Sequence, residues 1–261
     1  MNNYGKRIFT GQWGGDKELA YIQQVTGRQP AIMGYDFLFY SGSWARPDGV
    51  TEKGIYYANN LKGIVTYCWH WFSPKGWTDQ IWNSFYSDKT NFDVRLAVNS
   101  GSEENKLIIR DIDIIAQELK KLQSNNVPVI WRPLHEAEGT WFWWGKFGAD
   151  PCKKLWRIVF DRLMNYHQLK NLIWVWTTAN SNNAMSWFPG WDVVDVVVMD
   201  VYKNSGDYNS LALDFWKTYE IFSYKKLVAL GENGPIPDLN AVVRDKAAWS
   251  WFGTWSDYFL T

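Results

Sequence analysis

Cysteine is almost absent from this chain, with 2 in 261 residues, Cys68 and Cys152. Two thiols make no disulfide framework and no cysteine-rich zinc site. Histidine is nearly as scarce: His70, His135 and His167 are the full set, so a zinc centre would have to borrow carboxylates. The segment His135-Glu136-Ala137-Glu138-Gly139 opens like a metalloprotease helix but lacks the second histidine, and metal catalysis is not expected. Charge of one sign is missing too. Lys plus Arg is 27 and Asp plus Glu is 27, a balance that argues against a broad grip on nucleic acid or an anionic membrane. No run approaches the roughly 18 uncharged apolar residues of a membrane span. Residues 1–15 lack the apolar core of a signal peptide, so the protein is either intracellular or has lost its signal before this chain begins. No G-x-G-x-x-G or phosphate loop points to a nucleotide. No Pro/Gly/Ser linker divides the chain, and a single domain is expected.

What the chain has in excess is tryptophan, 19 Trp beside 14 Tyr and 14 Phe. Tryptophan is seldom fully buried because of its size, so part of this set is expected to face solvent or a ligand. Flat aromatic faces with a polar edge suit sugar rings, whose C–H faces are apolar and whose rims carry hydroxyls. For any single Trp, a place in the core is the simpler explanation. At 46% hydrophobic residues, the chain is too apolar for disorder and long enough to bury a sizeable core.

Short apolar runs alternate with longer amphipathic stretches. Candidate strands fall at 7–10, 31–35, 63–69, 128–132, 172–176, 193–200, 226–231 and 248–255. Several are rich in Val, Ile and Trp, as strands buried on both faces should be. The clearest helix spans 105–124, with Ile108, Ile112, Ile115, Leu119 and Leu122 at three- and four-residue steps. A second covers about 152–169 with Pro151 in its first turn, and a third lies near 210–222. The alternation gives an α/β fold of parallel strands and crossover helices. A closed (β/α)8 TIM barrel over residues 1–261 is the most economical arrangement, with a doubly wound open sheet as the alternative. After the eighth run only 256–261 remain, too few for an eighth helix. A trimmed fragment, or a chain without its last helix, is expected.

In such a barrel, catalytic side chains come from the C-terminal ends of strands. The fourth run ends in Arg132-Pro133-Leu134-His135-Glu136. A period of two puts Arg132, Leu134 and Glu136 on one face and His135 on the other. The seventh run ends in Glu232, the sixth brings Asp200 and Tyr202 to one face, and the third leaves His70 at its mouth. Taken alone, Glu136 could be the ion-pair partner of Arg132, and Glu232 could sit in a surface turn. Together they form the pair of carboxyls that glycoside hydrolysis needs, one to protonate the leaving oxygen and one to attack or to activate water. His167 reads as a structural histidine in mid-helix. Glu138 reads as a loop residue supporting the acid or solvated, and Asp36 as a hydrogen-bonding group at the barrel mouth.

The run Trp131-Arg132-Pro133-Leu134-His135-Glu136, followed by Gly139-Thr140-Trp141-Phe142-Trp143-Trp144-Gly145, resembles glycoside hydrolase family 26, the β-mannanases. The resemblance continues through Met33-Gly34-Tyr35-Asp36, Trp69-His70, Phe188-Pro189-Gly190, Asp200-Val201-Tyr202 and the strand closed by Glu232. It implies a retaining endo-β-1,4-mannanase without metal or organic cofactor, with Glu136 as general acid/base and Glu232 as nucleophile about 5–5.5 Å apart. It also implies that Arg132 and Tyr202 support Glu232, that His135 and Trp141 surround the acid, and that His70 and Asp200 contact the sugar. Trp255 matches the stacking platform under the sugar being cleaved, with Trp249 and Trp251 competing for that place. Trp77, Trp82 and Phe85 are candidate outer platforms. Relatives of other specificity cut β-1,3-xylan or mixed-linkage β-glucan, so those substrates stay open, as does a non-catalytic carbohydrate-binding protein. A mannan-type polysaccharide partner, a monomer, and export to the extracellular space complete the expectation.

Overall fold

The computed structural model describes residues 5–75, 82–179, 181–222, 224–256 and 259. Eight parallel strands close into a barrel: β1 (Phe9–Trp13), β2 (Ile32–Asp36), β3 (Ile64–Cys68), β4 (Val129–Arg132), β5 (Leu172–Thr178), β6 (Val196–Val201), β7 (Leu227–Asn233) and β8 (Trp251–Thr254). Each pairs with its sequence neighbours, and β8 returns to β1 through Phe9↔Trp251. The connections carry helices α1 (Asp16–Thr26), α2 (Val50–Asn59), α3 (Val94–Ala97), α4 (Glu103–Ser124), α5 (Ala149–Asp161), α6 (Ala184–Trp187), α7 (Ala212–Ile221) and α8 (Leu239–Arg244). The barrel expected from the alternating runs is the fold, and the open sheet is not. A two-stranded antiparallel ribbon, Tyr40–Ser41 with Trp44–Ala45, sits in the loop after β2. Beyond β8 the described residues are Trp255, Ser256 and Phe259, none of them α-helical.

Helix α4 follows its pattern closely. Ser102 caps it by accepting from the Asn105 N–H at 2.9 Å, Glu103 and Glu104 occupy its first turn, and Lys121 its last; these charges oppose the helix dipole at both ends. The predicted isoleucine and leucine stripe is its buried face. The second helix differs. The α-helical part stops at Asp161 and a π-turn, Arg162–Tyr166, replaces the predicted continuation to 169. That wider turn lets two side chains five residues apart reach one partner on α4. Arg162 donates to both oxygens of Asp113 at 2.7 and 2.8 Å, and His167 Nε2 lies 2.6 Å from the same carboxylate. His167 is therefore structural, as read from its place in the helix. Helices α1 and α2 were not anticipated, because their apolar positions are few and interrupted by tyrosine and lysine.

Most of the tryptophan turns out to be core. Trp69, Trp71, Trp131, Trp143, Trp144 and Trp156 are all buried in the main apolar cluster between strands and helices. Among the described residues, Trp82, Trp141 and Trp216 are the clearly exposed ones. Burial of a ring this large removes much apolar area from water, so the excess is explained by packing more than by ligand contact.

Candidate active site

Inside the barrel the strands place side chains in layers. A lower layer gathers Ile32, Ile130, Val175, Val196, Val198, Ala229 and Trp251, with Thr66 beside Ile130 donating its hydroxyl to the Ile130 carbonyl at 3.0 Å. Above it lies a single indole, Trp13, the last residue of β1. Room for it comes from Gly34 and Gly253, where an added Cβ would stand 2.4 Å and 2.8 Å from Trp13 atoms. Its Nε1 donates to the Gly231 carbonyl at 2.7 Å, and the Arg132 guanidinium sits 5.1 Å above the ring. Trp13 is thus the floor of a polar upper layer. The first predicted strand stopped at Thr10, before Gly11, so this residue was missed. Trp13→Ala is expected to cost about 3–5 kcal/mol of stability, the usual price of a large buried aromatic, measured by urea unfolding. A loss below about 1 kcal/mol would show that the floor is not supporting the site.

Arg132 ends β4 because Pro133 has no N–H for the ladder. Its side chain is buried, and a buried guanidinium must be paired. It donates to Asp200 Oδ2 at 2.7 Å, to Thr177 Oγ1 at 3.2 Å and to Glu232 Oε1. The sequence reading missed Thr177, since threonine at the end of an apolar strand carries no signal of its own. Glu232 reaches this layer through an irregularity in β7. Val198 pairs with Ala229 and Met199 with Leu230, but Asp200 pairs with Glu232. One extra residue, Gly231, has been inserted, as in a β-bulge. Were Gly231 kept in the regular ladder instead, strict alternation would turn Glu232 to the outside with Leu230. Glycine is required in the bulge, since a Cβ there would lie 2.5 Å from Asp200 Oδ1. Tyr202, one residue past β6, donates its hydroxyl to Glu232 Oε2 at 2.5 Å. Burial, then the Glu232 charge, pushes the Tyr202 phenol far up, so it remains a donor.

The segment after Pro133 corrects the simple two-residue period. Leu134 and Glu136 adopt left-handed backbone, φ 50° and 54°, and Thr140 follows at 62°. Such conformations cost non-glycine residues roughly 1–3 kcal/mol each and persist only where the surroundings impose them. Leu134 turns into the main core, while His135 and Glu136 both enter the upper layer. His135, predicted to face away from Arg132 and Glu136, instead sets its Nε2 3.2 Å from His70 Nε2. The segment is tied to the strand next door through Glu138, which accepts from Thr178 Oγ1 at 2.7 Å and Ser181 Oγ at 2.5 Å.

Carboxylate oxygens of Glu136, Asp200 and Glu232 lie within 4.8 Å of one another. Arg132 supplies among them the positive charge that a metal ion would otherwise bring. Burial, then the Glu232 charge, raises the Glu136 carboxyl above the ordinary range, against Arg132 and the Trp141 N–H. Burial also raises Asp200 well above its usual range; Arg132 opposes the rise, and the Glu232 and Glu136 charges add to it. Three acids around one guanidinium cannot all ionise cheaply. Trp141 donates its Nε1 to Glu136 Oε2 at 3.0 Å, with its ring 44% exposed. Trp255, directly after β8, lies 5.8 Å from the Trp13 ring and 6.4 Å from His70. Its two competitors are elsewhere: Trp249 is buried against Phe215, and Trp251 belongs to the lower layer. Asp36, read as a mouth hydrogen-bonding group, holds His70. Trp82 is 58% exposed on a rim formed with Phe39 and Phe72, whereas Phe85 is nearly buried. Trp77 lies outside the described residues.

All nine residues picked from the sequence therefore converge on one mouth of the barrel. Comparison with known proteins bears on the family and the fold. The family model described as Glycosyl hydrolase family 26 matches residues 1–260. A mannan endo-1,4-beta-mannosidase of Thermothelomyces thermophilus is 42% identical, over 98% of this chain and 53% of its own. The crystal structure of a GH26-CBM35 beta-(1,4)-mannanase from Podospora anserina superposes with a TM-score of 0.92 at 37% identity, covering 100% of this chain and 59% of that one. The beta-mannanase from a symbiotic protist of the termite Reticulitermes speratus, complexed with gluco-manno-oligosaccharide, gives 0.89 at 38% identity, covering 99% and 82%. The chain spans about half the length of the curated relatives it matches.

Proposed function

This chain belongs to glycosyl hydrolase family 26, and from that premise we propose that it is a retaining endo-β-1,4-mannanase acting on mannan-type polysaccharide. The observation that carries the reading is the carboxylate pair. Glu136 and Glu232 have oxygens within 4.8 Å, a separation that suits double displacement. An inverting enzyme needs about 6.5–9.5 Å between its carboxyls to admit water.

In the first step, a Glu232 oxygen bonds to the anomeric carbon as the bond from that carbon to the leaving oxygen breaks. The proton on Glu136 goes to the leaving sugar. Glu136, now a carboxylate, then takes a proton from water, whose oxygen displaces Glu232 and returns the enzyme to its starting state. Each carboxylate is held for its task. Arg132 and Tyr202 fix both oxygens of Glu232, while Trp141 donates to Oε2 of Glu136. Trp255 would stack the sugar whose bond is cut. His70, His135 and Asp200 would surround its hydroxyls, and Trp141 would meet the leaving side.

We further read residues 1–261 as one catalytic barrel that works as a monomer without cofactor. A polymer must be met where it lies, which favours an extracellular site of action. Among the described residues no helix is long and apolar enough to cross a membrane. The test is product analysis of the purified chain on mannan, β-1,3-xylan and mixed-linkage β-glucan side by side. Short manno-oligosaccharides, released from mannan alone with the β-anomer first, are expected. Cleavage of another polymer would move the substrate but keep the mechanism. Binding without cleavage would make the chain a carbohydrate-binding protein instead.

A further inference from the structure

Asp36, the last residue of β2, grips His70 at two points. Its Oδ1 accepts the His70 backbone N–H at 3.0 Å, and its Oδ2 lies 2.5 Å from His70 Nδ1. An ionised carboxylate only accepts, so Nδ1 carries a proton. On the far side of the ring, His70 Nε2 faces His135 Nε2 at 3.2 Å, and one of the two must be the donor. We propose that Asp36 is a positioning residue that holds His70 doubly protonated and thereby fixes His135 as the neutral tautomer with its proton on Nδ1.

The surroundings agree. His135 packs against the stacked pair Phe142 and Trp144, at 5.0 and 5.7 Å between ring centroids. Burial, and then the His70 and Arg132 cations, drive its charged form away. The groups facing His70 are Asp36 from β2, Cys68 from the end of β3, Arg132 from β4, His135 from the loop beyond, and Glu232 from β7. Burial opposes a charged His70, but Asp36 outweighs it, with Glu232 helping and Arg132 opposing. The upper layer thus holds a second cation beside Arg132. The His135 Nδ1 is buried with no partner among the described residues.

Three histidines in the whole chain make the assignment readable by nitrogen-15 NMR of histidine-labelled protein. At pH 7 we expect His70 with both nitrogens protonated and His135 protonated on Nδ1 alone. In Asp36→Asn, His70 should lose its charge within the working range. The pH profile of kcat/KM should then gain a new alkaline step, with a roughly 10- to 100-fold loss above it, the scale of one charged hydrogen bond. Asp36→Glu should restore the profile. A neutral His70 in the unmodified protein at pH 7 overturns the proposal even if Asp36→Asn fails to fold. A loss equal at every pH does so too. The kinetic arm rests on the mannanase reading. Should the chain cleave no polysaccharide, that reading fails, and the NMR arm still decides the two protonation states.

Discussion

Glu232→Ala is expected to lower kcat by about four to six orders of magnitude, the scale seen when a covalent nucleophile is removed. The loss should be the same for mannan and for activated aryl mannosides, since no covalent intermediate forms on either. Small external nucleophiles offer a sharper readout. Azide can enter the space left by the carboxylate and attack from the same side, giving an α-mannosyl azide whose configuration is visible by NMR. The variant also removes a partner from buried Arg132, which keeps Asp200 and Thr177. Unpairing a buried ion can cost about 3–5 kcal/mol, so Glu232→Gln should be measured beside it; the amide still offers Arg132 an acceptor. Activity above about a hundredth of the parent in a folded Glu232→Gln protein would remove Glu232 from the nucleophile's place.

Glu136→Ala should divide substrates by leaving group. Mannan, whose leaving sugar must be protonated, is expected to lose about three or more orders of magnitude in kcat/KM. An aryl mannoside with an acidic phenol needs no proton for the first step and should lose far less. For such a substrate the second step becomes limiting, so product should appear as a burst and azide should speed turnover by giving a β-mannosyl azide. The pH profile gives an independent check. Glu136 must carry its proton before attack, and its carboxyl is raised by burial and by the Glu232 charge. Activity on mannan is therefore lost as pH climbs through that raised value, and this alkaline limb should vanish for the aryl substrate in Glu136→Ala. Equal losses on both substrates, with the limb retained, would falsify the assignment.

The barrel was legible because each strand announces itself by an apolar run and α4 by a clean stripe. What resisted reading was everything set by departures from period. The π-turn after Asp161 depends on Asp113, a residue some fifty positions away on another helix. The left-handed turns at Leu134 and Glu136 follow from packing that no local spacing reports. They are why His135 joins the cleft when alternation sends it elsewhere. Trp13 was hidden behind Gly11, which looked like the end of a strand and is in fact where β1 passes close to β8. By contrast, Arg132, Glu136, Asp200, Tyr202 and Glu232 were found because charged or hydroxylated groups at the ends of apolar strands are costly to bury and need a reason. The tryptophan excess divides as expected, mostly core with Trp82, Trp141 and Trp216 exposed, although composition alone does not say which ring takes which place.

The extra residue in β7 gives the chain an unusual kind of fragility. Replacing Gly231 by a residue with a larger side chain would change neither the inventory of acids nor the length of the strand, and any comparison by composition would score the protein as intact. Yet a Cβ at that place stands 2.5 Å from Asp200 Oδ1, and a strand that straightens to relieve the clash falls back into step with β6, so position 232 swaps sides with its neighbour. The carboxylate then lies against helices instead of Arg132, with every candidate residue still present and the site gone. Deleting Gly231 would do no such thing, since Glu232 would take the vacated place opposite Asp200. In this chain the phase of a strand is itself a functional element, as open to mutation as any side chain.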